Sequence, residues 1–254
     1  MSDEVLIERR GHVEILTINR PEARNAINRA TALAIDAALD AAEADDDVWV
    51  IVLTASGDKA FSAGMDLKAF AAGEVPFTPH GFAGITTRQL AKPIICAANG
   101  SALAGGFEIM ISCDMVVAAT HAVFGIPEAK RGLIAGGGGL IRLPKRVPLV
   151  VANEMALTGE PVSAARAYEL GLVNRVVPGP EVLDGALALA EAVAANAPLA
   201  VRSSKRVMRE ARELTEAESW KVNDEAFGAI GRSADALEGA VAFAEKRPPV
   251  WTGQ

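Results

Sequence analysis

The sequence predicts an α/β protein built on a largely parallel sheet. Two unbroken apolar runs, at residues 48–53 and 93–97, have the composition of strands that are buried on both faces. Short β-branched runs, polar loops and helical segments alternate through the first two-thirds of the chain, which is the order that parallel strands with crossover connections require. From about residue 163 the composition shifts to Ala, Glu and Arg at helical spacing, which indicates a mostly helical C-terminal third.

The N-terminal elements are two strands, a polar loop and a long helix. Residues 5–7 and 13–18 are predicted strands on either side of a turn at Gly11. The polar loop at 19–26 leads into an Ala/Leu-rich helix that ends near Ala44, and Asn25 is the candidate for its N-terminal cap. The loop at 55–67 follows the strand at 48–53, and ligands of parallel sheets usually bind at this end of a strand.

The later elements are punctuated by glycine and proline. A mobile loop at 73–79 is expected to precede a helix that ends near Leu90. A helix opening at Gly105 follows the strand at 93–97. The remaining predicted strands are 115–119, 121–124 and 172–177, and the remaining predicted helices are 180–197, 198–212, 215–230 and 234–246.

The composition argues against several classes of partner and compartment. The 254 residues carry a net charge of −7, which disfavours the concentrated basic face of a duplex nucleic-acid binder. No apolar run approaches the ~18 residues of a membrane helix, and the N-terminal segment has no signal-like apolar region, so we expect no membrane partner and a cytoplasmic location. Cys96 and Cys113 lie in apolar surroundings and are expected to be buried free thiols.

Several common catalytic motifs are missing from the sequence. It contains no dinucleotide-binding G-x-G-x-x-G, no P-loop and no G-x-S-x-G nucleophile elbow. His12, His80 and His121 have no candidate triad partner nearby in sequence. A metal site would have to consist of carboxylates, and no pattern indicates one. We therefore expect neither a metal nor a bound cofactor.

The segment 99–114, NGSALAGGFEIMISCD, is the first candidate for a catalytic site. Gly105 and Gly106 can open a helix and allow another group to approach the bare backbone, and Glu108 falls in the first turn of that helix. Unpaired N–H groups at a helix N-terminus suit an oxygen that gains negative charge during a reaction. Taken alone, the same residues are also explained by close helix packing and by a surface glutamate that favours the helix dipole, and that second interpretation stays open from these residues.

An ordered set of short motifs resembles the enoyl-CoA hydratase/isomerase, or crotonase, family along nearly the whole chain. The motifs are NRPEARNA (19–26), AFSAGMDL (60–67), NG…GGFE (99–108), PE…G (127–132), RLP (142–144), LTG (157–159), GLVNRVV (171–177) and AFAEKR (242–247). The resemblance implies a crotonase-like spiral of repeated β-β-α units. It implies an α/β core at residues 1–195, a helical oligomerisation region at 196–254, a homotrimer or a dimer of trimers, and acyl-CoA thioesters as substrates without a further cofactor.

The resemblance also carries site residues over by position. The backbone N–H groups of Met65 and Gly105 would form an oxyanion hole for the thioester carbonyl. The coenzyme A portion would lie along Ala23, Arg24, Ala63, Asp66, Leu67 and Lys68. Phe243 and Lys246 would reach the nucleotide of a ligand that is bound to a neighbouring subunit. The acyl pocket is expected to be lined partly by residues 67–80 and 134–140.

Both acidic positions of the hydratase pattern are filled, by Glu108 and Glu128. Two carboxyl groups around one water can deliver its oxygen to C3 and a proton to C2 of a 2-enoyl thioester. This favours enoyl-CoA hydratase activity in fatty-acid or related acyl-CoA metabolism. Further strings, at 127–130, 138–145 and 153–155, are similar to the carnitinyl-CoA dehydratase branch of the family. That branch, an enoyl-CoA delta-isomerase and a non-catalytic acyl-CoA binder remain the alternatives.

Overall fold

The computed structural model describes residues 4–254, and it confirms the predicted α/β architecture. The strands are β1 (Val5–Arg10), β2 (Val13–Ile18), β3 (Val50–Ala55), β4 (Ala60–Ser62), β5 (Phe77–Thr78), β6 (Gly81–Phe82), β7 (Ile94–Ala98), β8 (Ser101–Leu103), β9 (Met115–Ala119), β10 (Val123–Gly125), β11 (Val162–Ser163) and β12 (Arg175–Val177). The helices are α1 (Arg29–Ala44), α2 (Leu67–Ala71), α3 (Gly105–Met110), α4 (Gly139–Arg142), α5 (Leu149–Thr158), α6 (Ala164–Glu169), α7 (Val182–Ala194), α8 (Pro198–Ala211), α9 (Glu216–Ile230) and α10 (Ala234–Glu245).

The larger sheet has the strand order β1-β2-β3-β7-β9-β12 and is parallel apart from the antiparallel β1–β2 pair. Every residue of β3 and β7 is buried, as their unbroken apolar sequences predict. Helix α7 packs across β3, β7 and β9 and buries Ala186, Leu187 and Ala190. Because each fully buried Ile or Leu contributes roughly 1.5–3 kcal/mol, the centre of this sheet is a large source of stability.

The smaller sheet has the order β11-β10-β8-β4, in which β4, β8 and β10 are parallel. Three times the chain passes from a strand of the larger sheet to a strand of the smaller one: from β3 to β4, from β7 to β8 and from β9 to β10. A helical segment follows each pair, namely α2, α3 and the 3-10 turn Pro127–Arg131. This repetition brings the carboxyl ends of β4, β8 and β10 to the same edge of the smaller sheet.

The predicted cap of the first long helix is wrong. The side chain of Asn28 accepts the N–H of Thr31 at 2.7 Å, and the helix begins at Arg29. Asn25 instead lies buried at a φ of 53°, and its amide donates to the carbonyls of Ser56 and Ala60. Both asparagines suit a cap by residue type, and only the carbonyls that surround Asn25 in the fold distinguish them.

The predicted helix ending near Leu90 is also wrong. The chain forms the β5–β6 hairpin there and then a series of turns. Gly81, Ala83 and Gly84 have φ values of 83°, 55° and 70°, and such left-handed residues interrupt a right-handed helix. The hairpin is fixed to α1, since Nδ1 of His80 lies 2.8 Å from the carboxylate of Asp36.

The four C-terminal helices are found where the sequence predicts them, each within two or three residues at its ends. Helix α8 buries only Pro198 and α9 buries only Ala226. Several large apolar side chains are exposed on α8, α9 and α10: Met208, Trp220, Phe227, Leu237 and Phe243. Cys96 and Cys113 are buried free thiols, as predicted.

Over residues 4–254, no single helix has both the length and the apolar character needed to cross a membrane. The segments 179–194 and 198–211 meet those criteria only when taken together, and they are bent by 104° relative to each other.

Candidate active site

The predicted catalytic residues lie at the carboxyl ends of three neighbouring parallel strands. Met65 follows β4, Gly105 and Glu108 follow β8, and Glu128 follows β10. The connections of β8 and β10 are joined directly, because the N–H of Ala104 donates to the carbonyl of Gly125 at 2.9 Å. Ligands of parallel sheets collect at this edge of the strands. The fold therefore brings together four residues that are 63 positions apart at the extremes (128 − 65).

Glycines allow the segments after β4 and β8 to touch. A Cβ on Gly64 would lie 2.8 Å from the nitrogen of Gly105, and one on Gly106 would lie 2.1 Å from the carbonyl oxygen of Ser62. Real Cβ atoms do not approach other atoms so closely, so glycine is required at both positions for this contact. The backbone of Met65 is thereby held beside the N-terminus of α3.

The N–H groups of Met65 and Gly105 have no acceptor within the described chain, residues 4–254. The bridge between Ile27 and Met65 uses the carbonyl of Gly64 and the N–H of Asp66 instead. Gly105 is the first residue of α3, where an N–H has no intrahelical partner. Two free backbone donors at one site can stabilise a carbonyl oxygen that becomes negative.

Glu108 is buried, and its carboxyl group is held by the glycine run 136–139. Its Oε1 accepts the N–H of Gly139 at 2.8 Å. Burial raises the pKa of Glu108 to about 7; the charge of Glu128 also raises it, while the N–H groups of Gly139 and Gly137 and the charge of Arg142 lower it. A carboxyl group with this pKa exists in both protonation states near neutrality, as a general acid or base requires.

The glycine run was predicted as pocket lining, and its contact with Glu108 was missed from the sequence. A Cβ on Gly137 would lie 2.7 Å from Oε2 of Glu108, and one on Gly139 would lie 3.1 Å from Oε1. Ile134, in the same predicted lining, is 76% exposed. The four consecutive glycines at 136–139 indicated, in the sequence, that a side chain could approach the backbone closely here.

Glu128 is the second carboxyl group of the site and lies in the 3-10 turn Pro127–Arg131. It is partly buried, and burial raises its pKa. Its Oε2 is inaccessible and has no hydrogen-bond partner among residues 4–254. A buried carboxyl oxygen without a partner has a large desolvation cost, and a proton or a bound water would reduce that cost.

Phe82 is a site residue that sequence reasoning missed. A Cβ on Gly105 would lie 2.5 Å from Cε1 of Phe82, so the ring rests directly on the glycine. Phe77 packs edge-on against Phe82, with ring centroids 5.6 Å apart. The aromatic pair covers one side of the helix N-terminus. In the sequence, the glycines that flank Phe82, Gly81 and Gly84, indicated a tight, buried turn.

The predicted coenzyme A residues of the two N-terminal loops meet at the edge of the site. The N–H of Ala63 donates to the carbonyl of Arg24 at 3.0 Å, which joins the loop carrying Ala23 and Arg24 to the loop after β4. Leu67 and Lys68 are exposed on α2. The carboxylate of Asp66 caps α2 and pairs with Arg20 at 3.1 Å, so its side chain is already engaged within the chain.

The predicted C-terminal contacts are not joined to this site within one chain. Phe243 is 87% exposed and Lys246 is exposed just beyond the end of α10. No hydrogen bond or ion pair of the described residues connects either side chain to the carboxyl ends of β4, β8 and β10. Among residues 4–254, no group of three or more His, Cys, Asp or Glu side chains is arranged to hold a metal ion.

A cavity of about 980 Å³ opens between α8 and the core. Its wall includes Gly136, Gly137, Gly138 and Arg142, but none of Met65, Gly105, Glu108 and Glu128. The cavity is therefore a neighbour of the candidate active site, separated from it by the glycine run.

Comparisons with known proteins agree with this architecture. A family model for enoyl-CoA hydratase/isomerase matches residues 8–254. A carnitinyl-CoA dehydratase of Salmonella arizonae is 42% identical over 261 aligned residues, which cover all of both chains. The structure of an enoyl-CoA hydratase from Mycobacterium tuberculosis H37Rv covers all of both chains with a TM-score of 0.97 and 47% identity. The structure of a carnitinyl-CoA hydratase from Mycobacterium avium does so with a TM-score of 0.81 and 46% identity.

The match over the full length confirms the crotonase-like spiral that the motifs implied, with its repeated units and helical C-terminal region. Agreement of fold, of sequence along the whole chain and of the ordered motifs has one explanation: the chain belongs to the enoyl-CoA hydratase/isomerase family.

Proposed function

We propose that this protein is an enoyl-CoA hydratase that adds water reversibly across the C2–C3 double bond of a 2-enoyl-CoA thioester. The observation that carries the proposal is the pairing of two desolvated carboxyl groups, Glu108 and Glu128, beside two backbone N–H groups without acceptors. The relatives named as hydratases and dehydratases support the same reaction type.

In the proposed mechanism the thioester carbonyl oxygen accepts hydrogen bonds from the N–H groups of Met65 and Gly105. Ionised Glu108 takes a proton from water as the water oxygen bonds to C3. The π electrons of the C2–C3 bond move to form an enolate, whose charge the two N–H groups stabilise; one such donor contributes ~2.7–4 kcal/mol in comparable sites. Protonated Glu128 then delivers its proton to C2. The reverse steps are dehydration.

Burial favours the neutral form of both carboxyl groups, and a neutral carboxyl group can donate a proton. Because two close glutamates titrate as a coupled pair, the ionised state of Glu108 favours the protonated state of Glu128. The proposed hydration uses the state of this pair in which Glu108 is ionised and Glu128 holds the proton. No step in this mechanism requires a metal or a further cofactor, since the reaction transfers protons and a water oxygen alone.

The substrate's coenzyme A portion is proposed to lie along the loops that carry Arg24 and Ala63, as the family resemblance implies. We propose a cytoplasmic homotrimer or a dimer of trimers, in which residues 196–254 form the oligomerisation region and residues 1–195 the core. Phe243 and Lys246 would then contact the nucleotide bound to a neighbouring subunit. Their exposure in a single chain supports this arrangement. Fatty-acid β-oxidation is the proposed metabolic setting.

Carnitinyl-CoA dehydratase activity is the second candidate, and the 42% identity to a relative of that name favours it. Its substrate, crotonobetainyl-CoA, carries a trimethylammonium group, which aromatic faces attract. Phe77, which packs against the buried Phe82, is exposed and is the aromatic side chain of this pair that a ligand could contact. Isomerisation of 3-enoyl thioesters and simple acyl-CoA binding are less favoured, because neither requires both Glu108 and Glu128.

The test is the loss of absorbance at the enoyl-thioester band when the protein meets crotonyl-CoA, longer 2-enoyl-CoA esters and crotonobetainyl-CoA. Turnover of the simple enoyl esters supports the hydratase proposal, and a strong preference for crotonobetainyl-CoA would assign the second candidate instead. Absence of turnover with all three would contradict both.

A further inference from the structure

Arg142, the first residue of the RLP motif, lies partly buried against the glycine run. It is the last residue of α4, and its Nη1 donates to the carbonyl of Gly137 at 3.3 Å. A Cβ on Gly138 would lie 2.1 Å from the same Nη1, so the guanidinium touches the run at two successive residues. Nothing in the proposed mechanism uses this side chain.

The same run holds Glu108 from its other side. The N–H of Gly139 donates to Oε1 of Glu108, and Gly137 lies against the same carboxyl group, since a Cβ on Gly137 would lie 2.7 Å from Oε2. Arg142 therefore fixes the carbonyl of Gly137, while the N–H of Gly139, two residues later, fixes Glu108. Movement of Arg142 would displace the segment that positions the carboxyl group.

Arg142 also reaches the segment that covers the oxyanion site. Its Nη2 donates to the carbonyl of Thr86. Thr86 lies four residues after Phe82, whose ring rests on Gly105. One guanidinium thus ties the acid–base side of the site to the aromatic cover of its carbonyl-binding side.

The charge of Arg142 acts on Glu108 as well. The charged groups that influence Glu108 are Glu128, which disfavours its ionised form, and Arg142, which favours it. Burial lowers the pKa of Arg142, and Glu108 and Cys113 act in the opposite direction. An arginine stays cationic in such surroundings, so its charge is present throughout the pH range of activity.

We propose that Arg142 is a positioning residue: it holds the glycine run against Glu108 and keeps a positive charge beside that carboxyl group. This inference rests on the proposed role of Glu108 as the base. A nearby cation commonly changes the pKa of a carboxyl group by ~1–3 pH units, so its loss has a measurable consequence.

The experiment compares the pH profiles of kcat/KM for crotonyl-CoA hydration in the wild-type protein and three variants. Arg142→Gln removes the charge but can still donate to a carbonyl, and Arg142→Lys keeps the charge without the fork that bonds two carbonyls. Arg146→Gln is the matched control: Arg146 is also a partly buried arginine, but its guanidinium donates to the carbonyl of Cys113, at 2.9 Å, rather than to the glycine run.

We expect the acidic limb of the Arg142→Gln profile to move to higher pH, with activity recovering there, because loss of the cation raises the pKa of the base. The limb stays in place in Arg142→Lys, whose kcat falls by about tenfold to a hundredfold because the run is held less firmly. Arg146→Gln leaves the limb unmoved.

An unmoved limb in Arg142→Gln would overturn the inference while leaving the hydratase proposal intact. If that variant does not fold, the lysine variant decides, since wild-type kcat in Arg142→Lys would also overturn the inference. A wild-type protein that does not hydrate any of the 2-enoyl esters would overturn the proposed function, and this inference with it.

Discussion

Two regions of the molecule differ in how fully their side chains are packed within a single chain: the carboxyl ends of β4, β8 and β10, and the helices α8–α10. At the strand ends, glycines bring backbone segments into contact, Glu108 is buried, and both carboxyl groups and both free N–H groups converge. On α8–α10 few residues are buried, and large apolar side chains such as Phe227 and Phe243 are exposed. The residues of the proposed chemistry are thus assembled within one chain, whereas the C-terminal helices expose the apolar side chains that the proposed oligomer would cover.

The largest expected effect concerns the acid of the pair. Glu128→Gln keeps the size of the side chain and removes its proton transfer, which usually contributes 10²–10⁴-fold to the rate. We expect kcat for crotonyl-CoA to fall by about that factor while the affinity for the thioester is retained. Steady-state kinetics and calorimetric titration with a saturated acyl-CoA measure the two quantities.

Glu160→Gln is the matched control for this change, since Glu160 is an exposed glutamate whose carboxylate pairs with Lys130. It should leave both quantities unchanged. Unchanged turnover in Glu128→Gln would remove Glu128 from the mechanism.

The next effect concerns stability: removal of the carboxyl group of Glu108, which the proposed reaction needs, is expected to stabilise the fold. Burial raises the pKa of Glu108 from 4.5 to about 7, so the folded state binds the proton more tightly than the unfolded chain does. Stability therefore decreases as the pH rises from 4.5 through 7, and the full cost, roughly 3 kcal/mol, is present above that window. We expect Glu108→Gln to unfold at a higher temperature than the wild type at alkaline pH.

The difference in unfolding temperature between Glu108→Gln and the wild type should shrink as the pH approaches the ordinary pKa of a glutamate. Thermal unfolding followed by circular dichroism, at alkaline pH and at that lower pH, measures the difference. A variant that is less stable than the wild type at alkaline pH would show that the ionised carboxylate stabilises the fold, against this account.

The smallest effect is expected on the C-terminal helices. Lys246→Gln removes one exposed charge from the proposed phosphate contact. Exposed charge pairs typically contribute ~0.2–1 kcal/mol, and more when they are partly desolvated. We therefore expect KM for acyl-CoA to rise by about threefold to tenfold, with kcat nearly unchanged. Lys221→Gln, an exposed lysine on α9, is the control and should not change KM. Equal KM values in both variants would confine the substrate contacts to the strand ends.

The two regions also differ in how well the sequence predicted them. The buried strands and the C-terminal helices follow from local patterns, since unbroken apolar runs and helical spacing need no tertiary information. The cap at Asn25 and the helix ending near Leu90 failed, because carbonyls from distant loops and left-handed backbone at Gly81–Gly84 decide those segments. The two glycines before Glu108 made it a candidate and the family resemblance gave it a role, but its contact with the glycine run arises only when α3 and α4 meet.

The roles of Phe82 and Arg142 likewise depend on tertiary contacts that the sequence does not show. Neither belongs to a pattern that predicts a role in the site, and each matters through what it touches: Phe82 covers Gly105, and Arg142 bonds Gly137 and Thr86. A single sequence names the residue types that can do chemistry, while the supporting contacts depend on packing between elements far apart in the chain.

The central claim, that Glu108 and Glu128 add water across an enoyl thioester, is tested most directly by isotope incorporation. Crotonyl-CoA is incubated with the protein in deuterated, ¹⁸O-labelled water, and the product is examined by mass spectrometry. The expected product is a 3-hydroxyacyl-CoA that carries ¹⁸O at C3 and one deuterium at C2, with label lost in Glu128→Gln. Deuterium incorporation without ¹⁸O would indicate isomerase-type proton exchange, and recovery of unlabelled crotonyl-CoA would contradict the account.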